Sequence, residues 1–247
     1  MSRMIEAEGE APWQKFLSRW ALLTALAVGA LLVAFTVVLQ FDSSVPPEYA
    51  GLVMASRQPG AFRFASMLDI LLELTLGGLL VAFAGLLWRR APIRSALVAL
   101  CAAGQVANLI GEYIDLRVTS DLAARYATAG AEQQAVLIQT YRTVELLHEA
   151  SFNAGAVLYG GGLLLIASVG LRLVGFPRWL AAWIGLMGVY GLGERLFFIV
   201  TGTTIPFFPV GFLVNIVGNG LLYVAIAVMF WRRQPDAVTA RRAEATA

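Results

Sequence analysis

The chain has 247 residues, of which 59% are hydrophobic and only 14% are charged, and its mean hydropathy is +0.73. Soluble domains typically contain roughly 45–50% apolar and about 25% charged residues, so this composition excludes a soluble globular protein and a disordered one. The net charge of +2 offers no basic surface to nucleic acid. One cysteine and one histidine exclude intrachain disulfides and multi-histidine metal or haem sites. The composition therefore indicates an integral membrane protein.

Six stretches are long enough to cross a bilayer, whose hydrocarbon core of roughly 30 Å takes about 20 apolar residues. They are residues 16–41, 65–88, 95–114, 151–171, 179–200 and 211–231. The sequence thus predicts an all-α polytopic protein, a six-helix transmembrane bundle with helical extracytoplasmic loop segments. We expect three parts: a cytoplasmic N-terminal segment at 1–15, the transmembrane domain at 16–231, and a disordered cytoplasmic tail at 232–247.

The basic residues predict the orientation of these spans. Twelve Arg and Lys lie on the side of the two termini and five on the other side, which places both termini in the cytoplasm by the positive-inside rule. One Lys against 17 Arg, together with abundant Ala, is typical of a GC-rich bacterial genome. We therefore expect a multi-pass protein of a bacterial cytoplasmic (inner) membrane.

Two predicted extracytoplasmic segments, 42–64 and 117–150, are too long for simple turns. In the first, Ser43 or Ser44 is expected to cap a short helix, and Pro59–Gly60 to form a turn. In the second, Ser120 is expected to start a helix that ends at Gly130.

A further helix is predicted to start near Ala131 and to continue into the fourth span. At 1.5 Å per residue it would be about 63 Å long, so it must project from the bilayer or bend, and the expected position of a bend is Gly160–Gly162. The two extracytoplasmic segments, 42–64 and 117–150, should fold over the outer mouth of the bundle with apolar residues facing it. Those residues are Tyr49, Leu52, Val53, Val136, Leu137 and Tyr141.

Polar side chains within the predicted spans gather at one depth, about 7–15 Å below the outer ends of the helices. The inner halves, 79–87, 96–103 and 163–169, are almost purely apolar. Because ionisable groups in hydrocarbon cost several kcal/mol, such a layer predicts a functional site. The residues of this polar layer are Asp69, Glu73, Gln105, Asn108, Glu112, Asp115, Arg142, Glu145, His148, Glu149, Asn153, Tyr190, Glu194, Arg195, Asn215, Asn219 and Tyr223.

We interpret the polar layer as an extracytoplasmic pocket that binds a small amphiphilic or lipid-like molecule and acts on it by acid–base chemistry. The candidate acids and bases are Glu73, Glu112, His148, Glu149 and Glu194. The candidate binding residues are Asp69, Asn108, Asp115, Tyr190, Arg195, Asn215 and Asn219. The bilayer and the amphiphile are the expected partners.

Three other interpretations remain open. The charges could serve helix registry alone, with Arg195 pairing with Glu73 or Glu112 and His148 with the other carboxylate. A proton-coupled transporter would need a midplane site, and the apolar inner halves and the lack of an internal repeat count against it. No cofactor is predicted; the alternative is a metal ion held by the Glu145-x-x-His148 step together with Glu112.

The chain resembles a family of bacterial six-helix membrane proteins described only as a domain of unknown function. The similar residues are Leu71-Leu72-Glu73-Leu74, Glu112, His148, Pro177-Arg178-Trp179-Leu180 and Trp183. The resemblance covers residues 16–231. It implies a compact six-helix bundle in the cytoplasmic membrane and no activity.

Overall fold

The structure is a computed structural model that describes residues 2–34, 44–202 and 208–232. Side chains are described from residue 12 onward, apart from those of residues 47 and 208–216. Four predicted features lie outside the described residues: the last part of the first span, the cap at Ser43, the side chain of Asn215, and the tail beyond residue 232.

The described ranges form seven α-helices, with a 3-10 turn at Pro47–Tyr49, and contain no strand. Proline begins α3 and α4 because it tolerates the first helical turn, and Gly202, at φ 66°, ends α6 in the left-handed conformation. The helices are α1 (Ser2–Val33), α2 (Ala50–Arg57), α3 (Pro59–Leu87), α4 (Pro92–Tyr126), α5 (Ala131–Gly170), α6 (Arg178–Thr201) and α7 (Phe208–Arg232).

Five of these helices are long and apolar enough to cross a membrane: α3, α4, α5, α6 and the Pro12–Val33 part of α1. α7 has 25 residues, and its described side chains form the apolar stretch Val217–Arg232. Large aliphatic side chains such as Leu26, Leu100 and Leu186 point outward and are exposed. Because exposing so much apolar surface to water is unfavourable, this surface is suited to contact with lipid. The predicted all-α polytopic membrane bundle is confirmed.

The six long helices form a closed ring. Each helix contacts the next in the order α7, α1, α3, α4, α5 and α6, and α6 contacts α7. In one half of the bundle along its axis, large side chains such as Phe83, Ile166, Leu180 and Phe230 are fully buried against one another. The other half, which carries α2, holds the buried carboxylate and amide side chains, such as Glu73, Gln105 and Glu112, and we call it the α2 half. The interior of the bundle is thus apolar at one end and polar at the other.

The helix α2 packs on the projecting ends of α3, α4 and α5. Leu52 and Val53 are buried, as expected, and Tyr141 on α5 is buried in the same apolar cluster as Leu52. Leu137 is also buried, but Val136 is 63% exposed, so its predicted inward orientation is wrong. A helix buries only one stripe, and Leu137 and Tyr141, four residues apart, occupy that stripe.

One helix, α4, extends further than the sequence predicts, whereas the long helix predicted from Ala131 is present as α5. α4 has 35 residues and is therefore about 52 Å long, so Ser120 lies within it rather than at a cap. Gly130 is the N-cap of α5 rather than the end of a preceding helix, and Pro59 begins α3 rather than a turn. α5, with 40 residues, is about 60 Å long and remains helical through Gly160–Gly162. Both helices are long enough to project from a bilayer.

The contact between α5 and α6 depends on paired glycines. A Cβ atom at Gly160 would lie 3.0 Å from the backbone nitrogen of Leu192 and 3.2 Å from the carbonyl oxygen of Gly188. The neighbouring atoms are backbone and cannot rotate away. By contrast, a Cβ atom at Gly161 would meet nothing within 4 Å. Small residues at the contact allow the two backbones to approach closely, as in many membrane helix pairs.

We predict that Gly160→Ala destabilises the bundle and that Gly161→Ala does not. Forcing α5 and α6 apart should lower the free energy of unfolding by about 1–3 kcal/mol. Gly161→Ala should be neutral or stabilising by up to about 1 kcal/mol, because alanine favours the helix. Unfolding by SDS titration in mixed micelles measures both variants. Equal stability of the two variants would contradict the close packing of α5 on α6.

Candidate functional site

A cavity of about 320 Å³ lies inside the ring of six helices, in the α2 half. Small-molecule sites typically have volumes of about 300–1,000 Å³, so this cavity suits a small ligand. Aliphatic side chains cover much of its wall, among them Val28, Leu76, Leu163 and Met187. Its polar wall consists of Asp69, Glu73, Gln105, Tyr159, Glu194, Arg195, Asn219 and Tyr223.

Glu73 is the most deeply placed carboxylate of the cavity and is only 5% exposed. Asp69 precedes it by one helical turn on the same face of α3, and both side chains line the cavity. The amide of Asn108 on α4 is a hydrogen-bond partner of the Glu73 carboxyl group. From the opposite wall, α6 contributes Glu194 and Arg195. The helix ring therefore brings together charged residues that are up to 126 positions apart in the sequence.

Arg195 does not neutralise these carboxylates. Its guanidinium carbon lies 4.6 Å from the centre of the Phe152 ring, in a cation–π contact. Within the described part of the chain, neither Asp69, Glu73 nor Glu194 forms a salt bridge. The alternative in which Arg195 pairs with Glu73 or Glu112 is therefore not what the structure has.

Several buried oxygens of the α2 half lack a hydrogen-bond partner among the described residues. Gln105 donates from Nε2 to the carbonyl oxygen of Gly155 at 2.8 Å, but its own Oε1 atom accepts nothing. The same holds for Oδ1 of Asn108 and for Oε2 of Glu194. Buried polar atoms are nearly always hydrogen-bonded, so each of these acceptors indicates a missing donor.

Four polar or aromatic residues of the cavity lining were not among the predicted catalytic or binding residues: Gln105, Phe152, Tyr159 and Tyr223. The hydroxyl groups of Tyr159 and Tyr223 are 2.8 Å apart and link α5 to α7 across the cavity wall. For two of them, the spacing of polar residues along the helix indicates a place in the site. Gln105 precedes Asn108 by three residues and Tyr223 follows Asn219 by four, so each continues the polar face of its helix.

Glu112 and His148 form a second polar group between α4 and α5, outside the lining of the cavity. The His148 Nε2 atom donates to Oε1 of Glu112 at 2.7 Å, and Glu112 is only 4% exposed. The pairing of His148 with Glu112 is one that the sequence left open. The group is an electrostatic neighbour of both Asp69 and Glu73. The predicted polar layer is therefore divided into a cavity and an adjacent pair.

Asp115, Glu145 and His148 are the residues best placed to hold a metal ion. One donor atom from each lies within 4.8 Å of the other two. Thr119 donates to Asp115 at 2.7 Å and Tyr141 is hydrogen-bonded to Glu145, contacts that would orient ligands. The predicted set of Glu112, Glu145 and His148 differs in one position, because Glu112 binds the imidazole and Asp115 joins the group instead.

The remaining predicted residues lie at the edge of the site or outside it. Glu149 is half-buried and does not line the cavity, and Tyr190 is an electrostatic neighbour of Glu194 and Arg195 without lining it either. Asn219 lines the cavity from α7. The side chain of Asn215 lies outside the described residues.

No family model, no curated protein and no solved structure matches the chain. The resemblance to a bacterial six-helix family therefore stays an expectation.

We predict that Glu112 and His148 stabilise the bundle as a pair. Each single change, Glu112→Ala or His148→Ala, should cost about 1–3 kcal/mol, because it leaves the other group buried without its partner. The double variant should be less destabilised than the sum, by roughly 0.5–3 kcal/mol, when unfolding is followed by SDS titration. Glu194→Ala combined with His148→Ala is the control and should be additive. Additivity in both cycles would show that the hydrogen bond contributes nothing.

Proposed function

We propose that this protein binds a small amphiphilic molecule in the cavity lined by its six long helices. The supporting observation is the division of the cavity wall. Glu73, Asp69 and Glu194 provide one polar region, and aliphatic side chains such as Leu76 and Leu163 provide an apolar one. A molecule with a polar head and an apolar tail matches both regions, whereas a fully polar solute would leave the aliphatic wall against polar atoms.

Glu73 would be the acid or base in any acid–base chemistry on the bound molecule. It lines the cavity, and the tyrosine pair Tyr159–Tyr223 is an electrostatic neighbour of it. Glu112 and His148 are instead bonded to each other outside the cavity lining. They suit a positioning role for α4 and α5 better than contact with the ligand.

The alternatives have less support. A transporter needs a path through the apolar half, where Leu79, Phe83, Leu180 and Ile226 are fully buried against one another. A role in helix registry alone predicts carboxylates that are paired with basic groups. The three cavity carboxylates form no salt bridge among the described residues.

The proposed setting is a bacterial inner membrane crossed six times, with α7 as the sixth span and both termini in the cytoplasm. The support is the charge distribution. Arg89, Arg94, Arg172 and Arg178 flank the apolar half of the bundle, opposite α2. The cavity would then lie in the extracytoplasmic half of the membrane.

This orientation predicts which introduced cysteines react from outside the cell. In a Cys101→Ala background, Ser44→Cys and Gln133→Cys should be labelled by a membrane-impermeant maleimide in intact cells, because both positions are exposed at the α2 end. The matched control is Val174→Cys, in the 94% exposed position between α5 and α6. It should be labelled only after permeabilisation. The reverse pattern would overturn the orientation.

Filling the cavity should abolish ligand binding without unfolding the protein. Gly191 lines the cavity, and a Cβ atom there would meet nothing within 4 Å. Gly191→Leu therefore extends into the cavity. Gly193→Leu is the control, because Gly193 is exposed on the same helix and its Cβ atom is equally unobstructed.

The probes are decan-1-ol, decanoate and decylammonium, tested by thermal unfolding in nanodiscs. At a concentration of about 100 times its Kd, a ligand should stabilise the wild type and Gly193→Leu by roughly 2.7 kcal/mol. Gly191→Leu should show none of this stabilisation. If no probe stabilises the wild type more than Gly191→Leu, the proposed binding function is wrong.

A further inference from the structure

The polar wall of the cavity carries more negative than positive charge. Three carboxylates, Asp69, Glu73 and Glu194, line it, and Arg195 is the basic residue among its described lining residues. Ionised, these four groups sum to two negative charges in an apolar surrounding. Burying a charge is costly unless a partner compensates it, so this wall is matched to something positive.

The positive charge of Arg195 lies against an aromatic ring and not against a cavity carboxylate. The guanidinium lies over the Phe152 ring, and no salt bridge joins it to Asp69, Glu73 or Glu194 in the described residues. His148, the single histidine of the chain, donates its Nε2 proton to Glu112, so its direct ionic partner is a carboxylate outside the cavity lining. Among the described residues, no side chain of the cavity lining therefore forms a salt bridge with these three carboxylates.

The hydrogen-bonding pattern of the wall points in the same direction. Gln105 is only 2% exposed and lines the cavity, and its Oε1 atom has no donor among the described residues. Its Nε2 atom is held by the carbonyl oxygen of Gly155 at 2.8 Å, which fixes the amide orientation and keeps Oε1 as an acceptor. Oε2 of Glu194 is also without a donor. A ligand that satisfies these atoms must bring N–H or O–H groups.

We propose that the cavity selects an amphiphile whose head is a primary ammonium group, with Glu73, Asp69, Glu194 and Gln105 as its acceptors. This inference rests on the binding function proposed above and specifies the class of ligand. An ammonium group provides one positive charge, which offsets the excess of carboxylates, and three N–H donors for the acceptors that have no donor. The aliphatic wall takes the chain attached to it. A carboxylate head would instead add negative charge beside three carboxylates.

The head-group preference is measured with four ligands of one chain length. Decylammonium has charge and donors, decyltrimethylammonium has charge without N–H donors, decan-1-ol has a donor without charge, and decanoate has the opposite charge. We expect affinity for the wild type to fall in that order. Because hydrogen bonds to charged groups are the stronger ones, decylammonium should bind about ten- to a hundredfold more tightly than decan-1-ol. Binding is taken as the thermal stabilisation that Gly191→Leu abolishes.

Two variants link the preference to the cavity carboxylates. Glu73→Gln and Asp69→Asn should each weaken decylammonium binding by about tenfold or more while changing decan-1-ol binding little. Glu149→Gln is the matched control, since Glu149 is a half-buried carboxylate outside the cavity lining. It should leave both affinities unchanged. Using both Glu73→Gln and Asp69→Asn keeps the test valid if one of them fails to fold.

The outcomes separate this inference from the function on which it rests. Tighter binding of decanoate than of decylammonium, or equal binding of all four ligands, would overturn the ammonium preference while cavity binding stands. Loss of the preference in Glu149→Gln but not in the cavity variants would also overturn it. Binding of none of the four ligands would overturn the binding function itself. Methylammonium, which has no tail, should bind far more weakly than decylammonium.

Discussion

A carboxylate inside an apolar helix bundle requires a positive charge, a proton or a set of donors, and this requirement shapes the α2 half of the protein. Glu112 meets it with His148 at 2.7 Å, across the contact between α4 and α5. Glu73 receives a hydrogen bond from Asn108, but neither it nor Asp69 has a cationic partner among the described residues. This difference supports the proposal that Glu112 and His148 are a structural pair and that Glu73 and Asp69 belong to a ligand-binding site.

The rest of the bundle sustains this arrangement. Beneath the cavity, Phe83, Ile166 and Leu180 are fully buried in a packed apolar layer, which closes the polar half on one side. The close contact of α5 with α6 at Gly160 helps to hold Phe152 and Arg195 across from Glu73. The ring of helices thereby leaves a space in the polar half and fills the apolar half. That asymmetry favours binding from one side over passage through the membrane.

Much of the fold follows from composition and periodicity, because a span must be about 20 apolar residues long and each helix exposes its own stripe. The polar layer, the long α5 and the apolar inner half were all predictable in this way. The pairing of charges was not. Whether His148 reaches Glu112 or Glu73 depends on the rotation of α4 and α5 about their axes, and that rotation is set by contacts such as Asn108 on Gly155. For the same reason, the sequence could not show that Arg195 would lie over Phe152 instead of pairing with a carboxylate.

A density map of the protein in nanodiscs of native lipid tests the central claim most directly, because it shows what compensates the carboxylates of the cavity. We expect an elongated density in the cavity, with its polar end between Glu73, Asp69 and Glu194 and its other end against the aliphatic wall. Arg195 should remain over Phe152. A cavity that holds water alone, with Arg195 moved into a salt bridge with Glu73 or Glu194, would contradict the claim that the protein leaves this charge for a ligand.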